Sequence, residues 1–185
     1  DMVSRGLGDV YKRQFYHNGY DGIALPDDES DTAQAEYAAL WNERVHVSSG
    51  GAMRIRNSNG SEIANNTVYN NLRGIRFQDS HNGSIHDNDV YGNFESGIYL
   101  AAGDYTGNTG CTGTSVYNNS VYDNKNNGLL SIGGSGNTFT NNTVDGNWNA
   151  GVQLWHASEI TVSGNTILDN NHKSFNGIGN GGDAR

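Results

Sequence analysis

The chain has 185 residues, enough for one domain with a sizeable core. Its formal net charge of −9 argues against a polyanion-binding surface overall, so nucleic acid is not an expected partner. The single cysteine, Cys111, excludes an internal disulfide and a cysteine-built zinc site, and no apolar run approaches the roughly 18–20 residues of a helical membrane span. Hydrophobic residues make up only 34 %, yet they recur at regular intervals among 26 glycines and many asparagines, which points to a repeat architecture and away from disorder.

Residues 1–14 stand outside the repeat and hold Arg5, Lys12 and Arg13. They read as a non-native leader, the scar of a translated linker, and the native N-terminus is expected to be missing. From residue 15 a phrase begins. Phe15-Tyr16-His17-Asn18 leads into Gly22-Ile23. An insertion at 27–39 follows, acidic at Asp27, Asp28, Glu29 and Asp31, with a short helix expected over 32–40 and Ser30 or Asp31 as its cap. A degenerate copy over 40–48 puts Val45 in the valine position and leads into Ala52-Met53.

The phrase then becomes regular. Asn66-Thr67-Val68-Tyr69-Asn70-Asn71 recurs at Asn88, Asn119, Asn142 and Asn165, in steps of 22, 31, 23 and 23 residues. An apolar residue stands three places ahead of each: Ile63, Ile85, Val116, Phe139, Val162. A second phrase follows most copies: Gly74-Ile75, Gly97-Ile98, Gly128-Leu129, Gly151-Val152, and finally Gly177-Ile178, where the last coil is cut off. The long step reflects a second insertion, at 104–113.

Alternation within these short runs predicts strands: Ile75 and Phe77 inward, Arg76 and Gln78 outward. High Asn and Gly content excludes helices. About three strands per coil, and about six coils of about 23 residues, predict an all-β solenoid in which equivalent strands stack as parallel neighbours roughly 4.8 Å apart. Two asparagine columns, Asn66-Asn88-Asn119-Asn142-Asn165 and Asn71-Asn93-Asn124-Asn147-Asn170, are expected to form ladders, because asparagine tolerates left-handed backbone and its amide bonds neighbouring backbone. No end caps are legible, so a fragment of a longer protein is expected.

The Gly-Ile, Asn, Val-Tyr, Asn pattern over residues 15–177 resembles the right-handed parallel β-helix repeat of pectate-lyase-like proteins, and is similar to NosD-type periplasmic proteins and bacterial mannuronan epimerases. The resemblance implies an extracellular or periplasmic protein. It also implies a groove across the Gly-Ile strands that binds an acidic polysaccharide, with lyase- or epimerase-type chemistry. The alternatives are a non-catalytic carbohydrate-binding or adhesin β-helix and a NosD-like maturation factor. The epimerase signature Tyr-Gly-Phe-Asp-Pro-His has its nearest counterpart at Tyr20-Asp21-Gly22-Ile23-Ala24-Leu25-Pro26-Asp27, which lacks the histidine. The Gly-His-Gly and Arg-Ile-Lys motifs of polygalacturonases are absent.

Outward positions on the Gly-Ile strands are Ala24; Arg54 and Arg56; Arg76 and Gln78; Tyr99 and Ala101; Leu130 and Ile132; Gln153 and Trp155. Arginine forks bind carboxylates and aromatic faces stack on sugar rings, so Arg54, Arg56, Gln78, Gln153 and Trp155 are candidate substrate contacts. For chemistry at a uronate, Arg76 or Arg54 would neutralise the carboxylate, Tyr99 would act as base or acid, and His156, with His81 or Lys125 as alternatives, would supply a second proton-transfer group. Asp27, Asp28 and Asp79 are candidate oxygen ligands for Ca2+. Cys111 is expected to be a buried free thiol, and His17, His46, His86 and His172 to be surface histidines.

Overall fold

The computed structural model describes residues 52–102 and 110–171, together with the backbone of two short strands at 10–11 and 14–16. These residues wind into a solenoid with three parallel sheets. The first sheet stacks β1 (Val10–Tyr11), β4 (Glu62–Ala64), β7 (Ser84–His86), β10 (Ser115–Tyr117), β13 (Thr138–Thr140) and β16 (Thr161–Ser163). The second stacks β2 (Gln14–Tyr16), β5 (Thr67–Tyr69), β8 (Asp89–Tyr91), β11 (Ser120–Tyr122), β14 (Thr143–Asp145) and β17 (Thr166–Leu168). The third stacks β3 (Met53–Arg56), β6 (Ile75–Gln78), β9 (Ile98–Ala101), β12 (Leu129–Ile132) and β15 (Val152–Trp155).

In the first two sheets most strands form where the sequence puts one β-branched or aromatic residue between two polar ones. In β5, β8 and β11 the central valine is buried and its neighbours are half-buried, because alternate side chains leave opposite faces of a strand. Strict registers, such as Val68↔Val90 and Val90↔Val121, line the valines up in one inward column. Ile63, Ile85, Val116 and Phe139 make a second column, and Ile55, Phe77 and Leu100 belong to a third. Each such side chain is worth about 1.5–3 kcal/mol on burial.

The corners explain the asparagines. Asn65, Asp87, Asn118 and Asn141 have φ of 53–58°, the left-handed region where Asn and Asp cost least. The residue after each of them, Asn66, Asn88, Asn119 and Asn142, is buried and forms the ladder. Strain tolerance and ladder bonding were expected of the same asparagines; they fall on consecutive ones. Asn119 Nδ2 donates to Asn142 Oδ1 at 2.9 Å and to the Ile85 and Tyr117 carbonyls, while its Oδ1 accepts from the backbone and side chain of Asn88. The second ladder repeats this through Asn71, Asn93, Asn124, Asn147 and Asn170.

The Gly of the Gly-Ile phrase is required by close approach. A Cβ on Gly97 would lie 2.6 Å from Val121 Cγ1 and 2.8 Å from Asn124 Nδ2.

The repeat reading differs from the structure in its count and in two boundaries. β2 pairs directly with β5, with Phe15 opposite Val68, so the two are neighbours in the second sheet, and the described residues make about five coils where six were expected. Residues 40–48 and the expected helix at 32–40 lie outside the described residues. The strand ladders also reach back to Val10, upstream of the start at residue 15. The second insertion is shorter than 104–113, since Thr112 bridges His81 and Ser135 as a regular corner residue and Gly113 has φ of +61° like Gly136 at +65°.

Candidate functional site

The third sheet brings the expected residues onto one face. Arg54 is in register with Arg76, Arg76 with Tyr99, Tyr99 with Leu130 and Leu130 with Gln153. A parallel column runs Arg56, Gln78, Ala101, and further along Ile132 pairs with Trp155. Neighbours in each column are separated by one strand spacing, roughly 4.8 Å.

The face is not an open groove along its length. Arg76 is 8 % exposed, Gln78 3 %, Tyr99 7 %, Leu130 8 % and Ile132 5 %. Tyr99, Ala101, Ala102, Leu130 and Ile132 form an apolar cluster separate from the main core. Outward direction follows from alternation, yet these side chains are buried. Access is confined to the two ends: half-buried Arg54 with exposed Arg56 at β3, and Gln153, Trp155 and His156 at β15.

The β3 end is electropositive. Arg54 donates from Nη2 to Gln78 Oε1 at 2.9 Å, and Gln78 Nε2 donates to Asp79 at 3.2 Å. Arg56 lies 4.0 Å from the same Asp79 carboxylate. Burial lowers the Arg54 pKa, the charges of Arg56 and Arg73 lower it further, and Asp79 opposes them. Among the described residues four guanidiniums (Arg54, Arg56, Arg73, Arg76) meet two carboxylates, Asp79 and Glu95, on a protein that is acidic as a whole.

Arg76 and Tyr99 are in contact, the guanidinium 5.4 Å from the ring centroid. The third expected catalytic residue is apart from them. His156 follows β15 in left-handed backbone at φ 52° and stacks on Trp155 at 5.5 Å. Three strand spacings, about 14 Å, separate the Arg76 strand from the one that leads into His156. His156 is therefore not placed to share a proton transfer with Arg76 and Tyr99. His81 is at the corner beyond β6, bonded through Nδ1 to Thr112 Oγ1 at 2.8 Å. Lys125 lies 4.2 Å from the Trp148 ring, at the corner ahead of β12.

Asp79 has φ of 45°, so it occupies a corner slot that favours a short polar side chain, and its carboxylate faces Arg56 and Gln78. Asp27, Asp28 and Ala24 lie outside the described residues. Among the described residues no three His, Cys, Asp or Glu side chains gather in a way that would hold a metal ion.

Two pairs escaped the sequence reading. Arg73 and Glu95 form a buried ion pair with two contacts, Nε to Oε2 and Nη2 to Oε1 at 2.7 Å. Asn127 Nδ2 donates to Gln153 Oε1 at 2.9 Å. Arg73 and Glu95 are 22 residues apart with opposite charge, and that spacing alone could have revealed them.

The other faces carry aromatic stacks. On the second sheet Tyr69, Tyr91 and Tyr122 stack at 5.1 and 4.8 Å with interplanar angles of 7° and 9°. Burial, then the neighbouring Asp89 and Tyr91, push the Tyr122 hydroxyl up to about 12, so it stays protonated at neutral pH and is no base. On the first sheet His86 Nε2 meets Glu62 at 2.7 Å, Nδ1 meets Asp87 at 2.7 Å, and the ring stacks on Tyr117 at 4.5 Å. Cys111 is the expected buried thiol. Burial pushes it up to about 12, and Sγ points to the Phe77 carbonyl at 3.1 Å, which rules it out as a nucleophile.

Comparison with the curated proteins gives no match. Residues 5–167 match the family model described as right handed beta helix region, across the same coils that the three sheets define. With most of its length matched, and with three parallel sheets stacked coil on coil, the chain belongs to the right-handed β-helix family.

Proposed function

We propose that this β-helix binds an acidic polysaccharide on the outer face of its third sheet. The observation that carries the reading is the in-register pair Arg54 and Arg76, with Arg56 beside them, on a protein whose net charge is −9. A repulsive background makes a local cluster of guanidiniums selective: an anion gains only where the arginines are, and a planar fork matches a carboxylate. The accessible Trp155 at the other end offers a ring for a neutral sugar. Such a ligand fits a protein acting outside the cytoplasm.

Affinity electrophoresis through gels cast with alginate, pectate or neutral glucan tests this. Retardation in the acidic gels, lost with Arg54→Ala plus Arg56→Ala, supports the reading. Equal migration in every gel removes it.

A second reading adds chemistry, and the contact between Arg76 and Tyr99 favours it. A uronate anchored by Arg54 at the open end would reach Arg76 and Tyr99 once the buried face over β6 and β9 opens; Arg76 would then acidify the C5 proton, and Tyr99, as tyrosinate, would take it. For elimination, the C5–H electrons form the C4–C5 double bond as the C4–O bond breaks, and the departing oxygen keeps that electron pair and is protonated by solvent water. For epimerisation, a proton returns to C5 from solvent water on the opposite face. Ultraviolet absorbance of the unsaturated product, and exchange of the C5 proton with deuterated solvent, distinguish the two from binding alone.

A further inference from the structure

We propose that the Arg54 and Arg56 end of the third sheet is a single-anion subsite. It takes one sugar carboxylate, so the ligand is an acidic sugar set among neutral ones or at a glycan terminus, and not a uniform polyuronate. This rests on the reading that the face binds an acidic glycan.

The first argument is unmet hydrogen bonding. Arg54 Nε is buried with no acceptor, and among the described residues no carboxylate lies within ion-pair distance of this guanidinium, whose Nη2 is held by the neutral Gln78. A buried donor left unsatisfied on a cation is costly, and an entering carboxylate removes that cost. Arg56, two residues along the same strand and pointing the same way, is roughly half exposed at 51 % and only loosely paired with Asp79 at 4.0 Å. Outward residues two apart on a strand are separated by about 6.6 Å at Cα, a span that two converging arginine forks close around one carboxylate.

The second argument is where the cations stop. Beyond Arg76 the outward positions are Tyr99 and Ala101, Leu130 and Ile132, and Gln153 and Trp155, none of them cationic. The stretch from Tyr99 to Ile132 is sealed, with no outward residue more than 8 % exposed. Arg76, 8 % exposed and held against the Tyr99 ring, offers no second open fork, and a polyuronate laid further along the solenoid would carry its later carboxylates onto this apolar cluster, where each would lose hydration without gaining a partner. The face accommodates one charge.

Calorimetric titration of the whole chain with di-, tetra- and hexauronates, their methyl esters and inorganic sulfate tests the proposal. A single subsite predicts affinities within about threefold across the length series, whereas a row of subsites would raise them on the order of a hundredfold by avidity. Arg54→Gln should weaken diuronate binding by roughly ten- to a hundredfold, the loss of a charge-assisted hydrogen bond, with circular dichroism unchanged. Methyl esters should not bind, and sulfate should bind more weakly than diuronate. A rise of more than about tenfold with length overturns the single-anion subsite and leaves the acidic-glycan reading intact. Unchanged binding in both Arg54→Gln and Arg56→Gln also overturns the subsite. Binding of the neutral esters with no binding of any uronate overturns both.

Discussion

The Arg76 guanidinium lies 5.4 Å from the centroid of Tyr99, its in-register neighbour on the next strand. The ring closes the apolar cluster over β9 and β12 and holds the arginine, and the second reading above also uses its hydroxyl. Tyr99→Phe keeps the ring and should leave uronate binding close to the parent. If the chain turns substrate over, the same variant should lose turnover with binding kept. Tyr99→Ala empties the cluster and should cost about 3 kcal/mol in chemical denaturation. Equal turnover by Tyr99→Phe would remove the hydroxyl from the chemistry.

Asn119 should be among the most damaging positions to truncate. Asn119→Ala leaves its own backbone intact but strands the Asn88 backbone amide, and it takes one bond each from the Asn88 side-chain amide, the Ile85 and Tyr117 carbonyls and Asn142 Oδ1. A buried unsatisfied group costs about 1–3 kcal/mol, so a loss of at least about 3 kcal/mol is expected by urea unfolding. A loss below 1 kcal/mol would mean that the ladder is replaced by water at little cost.

Ser131 gives the opposite sign. It occupies the inward column between Leu100 and Leu154, is fully buried, and its Oγ has no partner. Ser131→Ala removes the orphaned hydroxyl and should stabilise the chain by about 1 kcal/mol, a rise in melting temperature of a few degrees. Destabilisation by the same substitution would point to a hydrogen bond made by that hydroxyl.

His86 should make the solenoid more stable in mild acid than in mild base. Burial disfavours its imidazolium, but hydrogen bonds to Asp87 and Glu62 outweigh burial and raise its pKa above the usual value. A raised folded pKa contributes stability that is fully present below the unfolded pKa, near 6.5, and is lost as pH rises through the folded value. The difference in melting temperature between the parent and His86→Gln should therefore be larger at mildly acidic pH and shrink on the alkaline side. A difference that does not change with pH would mean that the clamp between β4 and β7 is uncharged throughout.

The coils were legible because each demands particular residue types at fixed places. An Asn amide must bond four or more partners at Asn119, and a Cβ at Gly97 would collide with Val121. Such demands recur once per turn and print a period into the sequence. The coil count was less legible, since one valine in a polar run, Val45, looks the same whether or not it enters the stack. At the candidate site, alternation gave the direction of Arg54, Arg76 and Tyr99 and the registers agree. Alternation carries no information about shielding, so the burial of Arg76 and Tyr99 was not foreseen. His156 was grouped with them by face, although column order along the stack already set it three strands away from Arg76.

The most direct test is a nuclear magnetic resonance titration that follows the arginine Nε–Hε signals as a diuronate is added. Binding at the β3 end predicts saturable shifts of Arg54 and Arg56, with Arg54 Nε–Hε moving downfield as it gains an acceptor, and little change at the Trp155 indole. Shifts confined to Trp155 and His156, or no saturable shift of either arginine at ligand concentrations that bind, would contradict it.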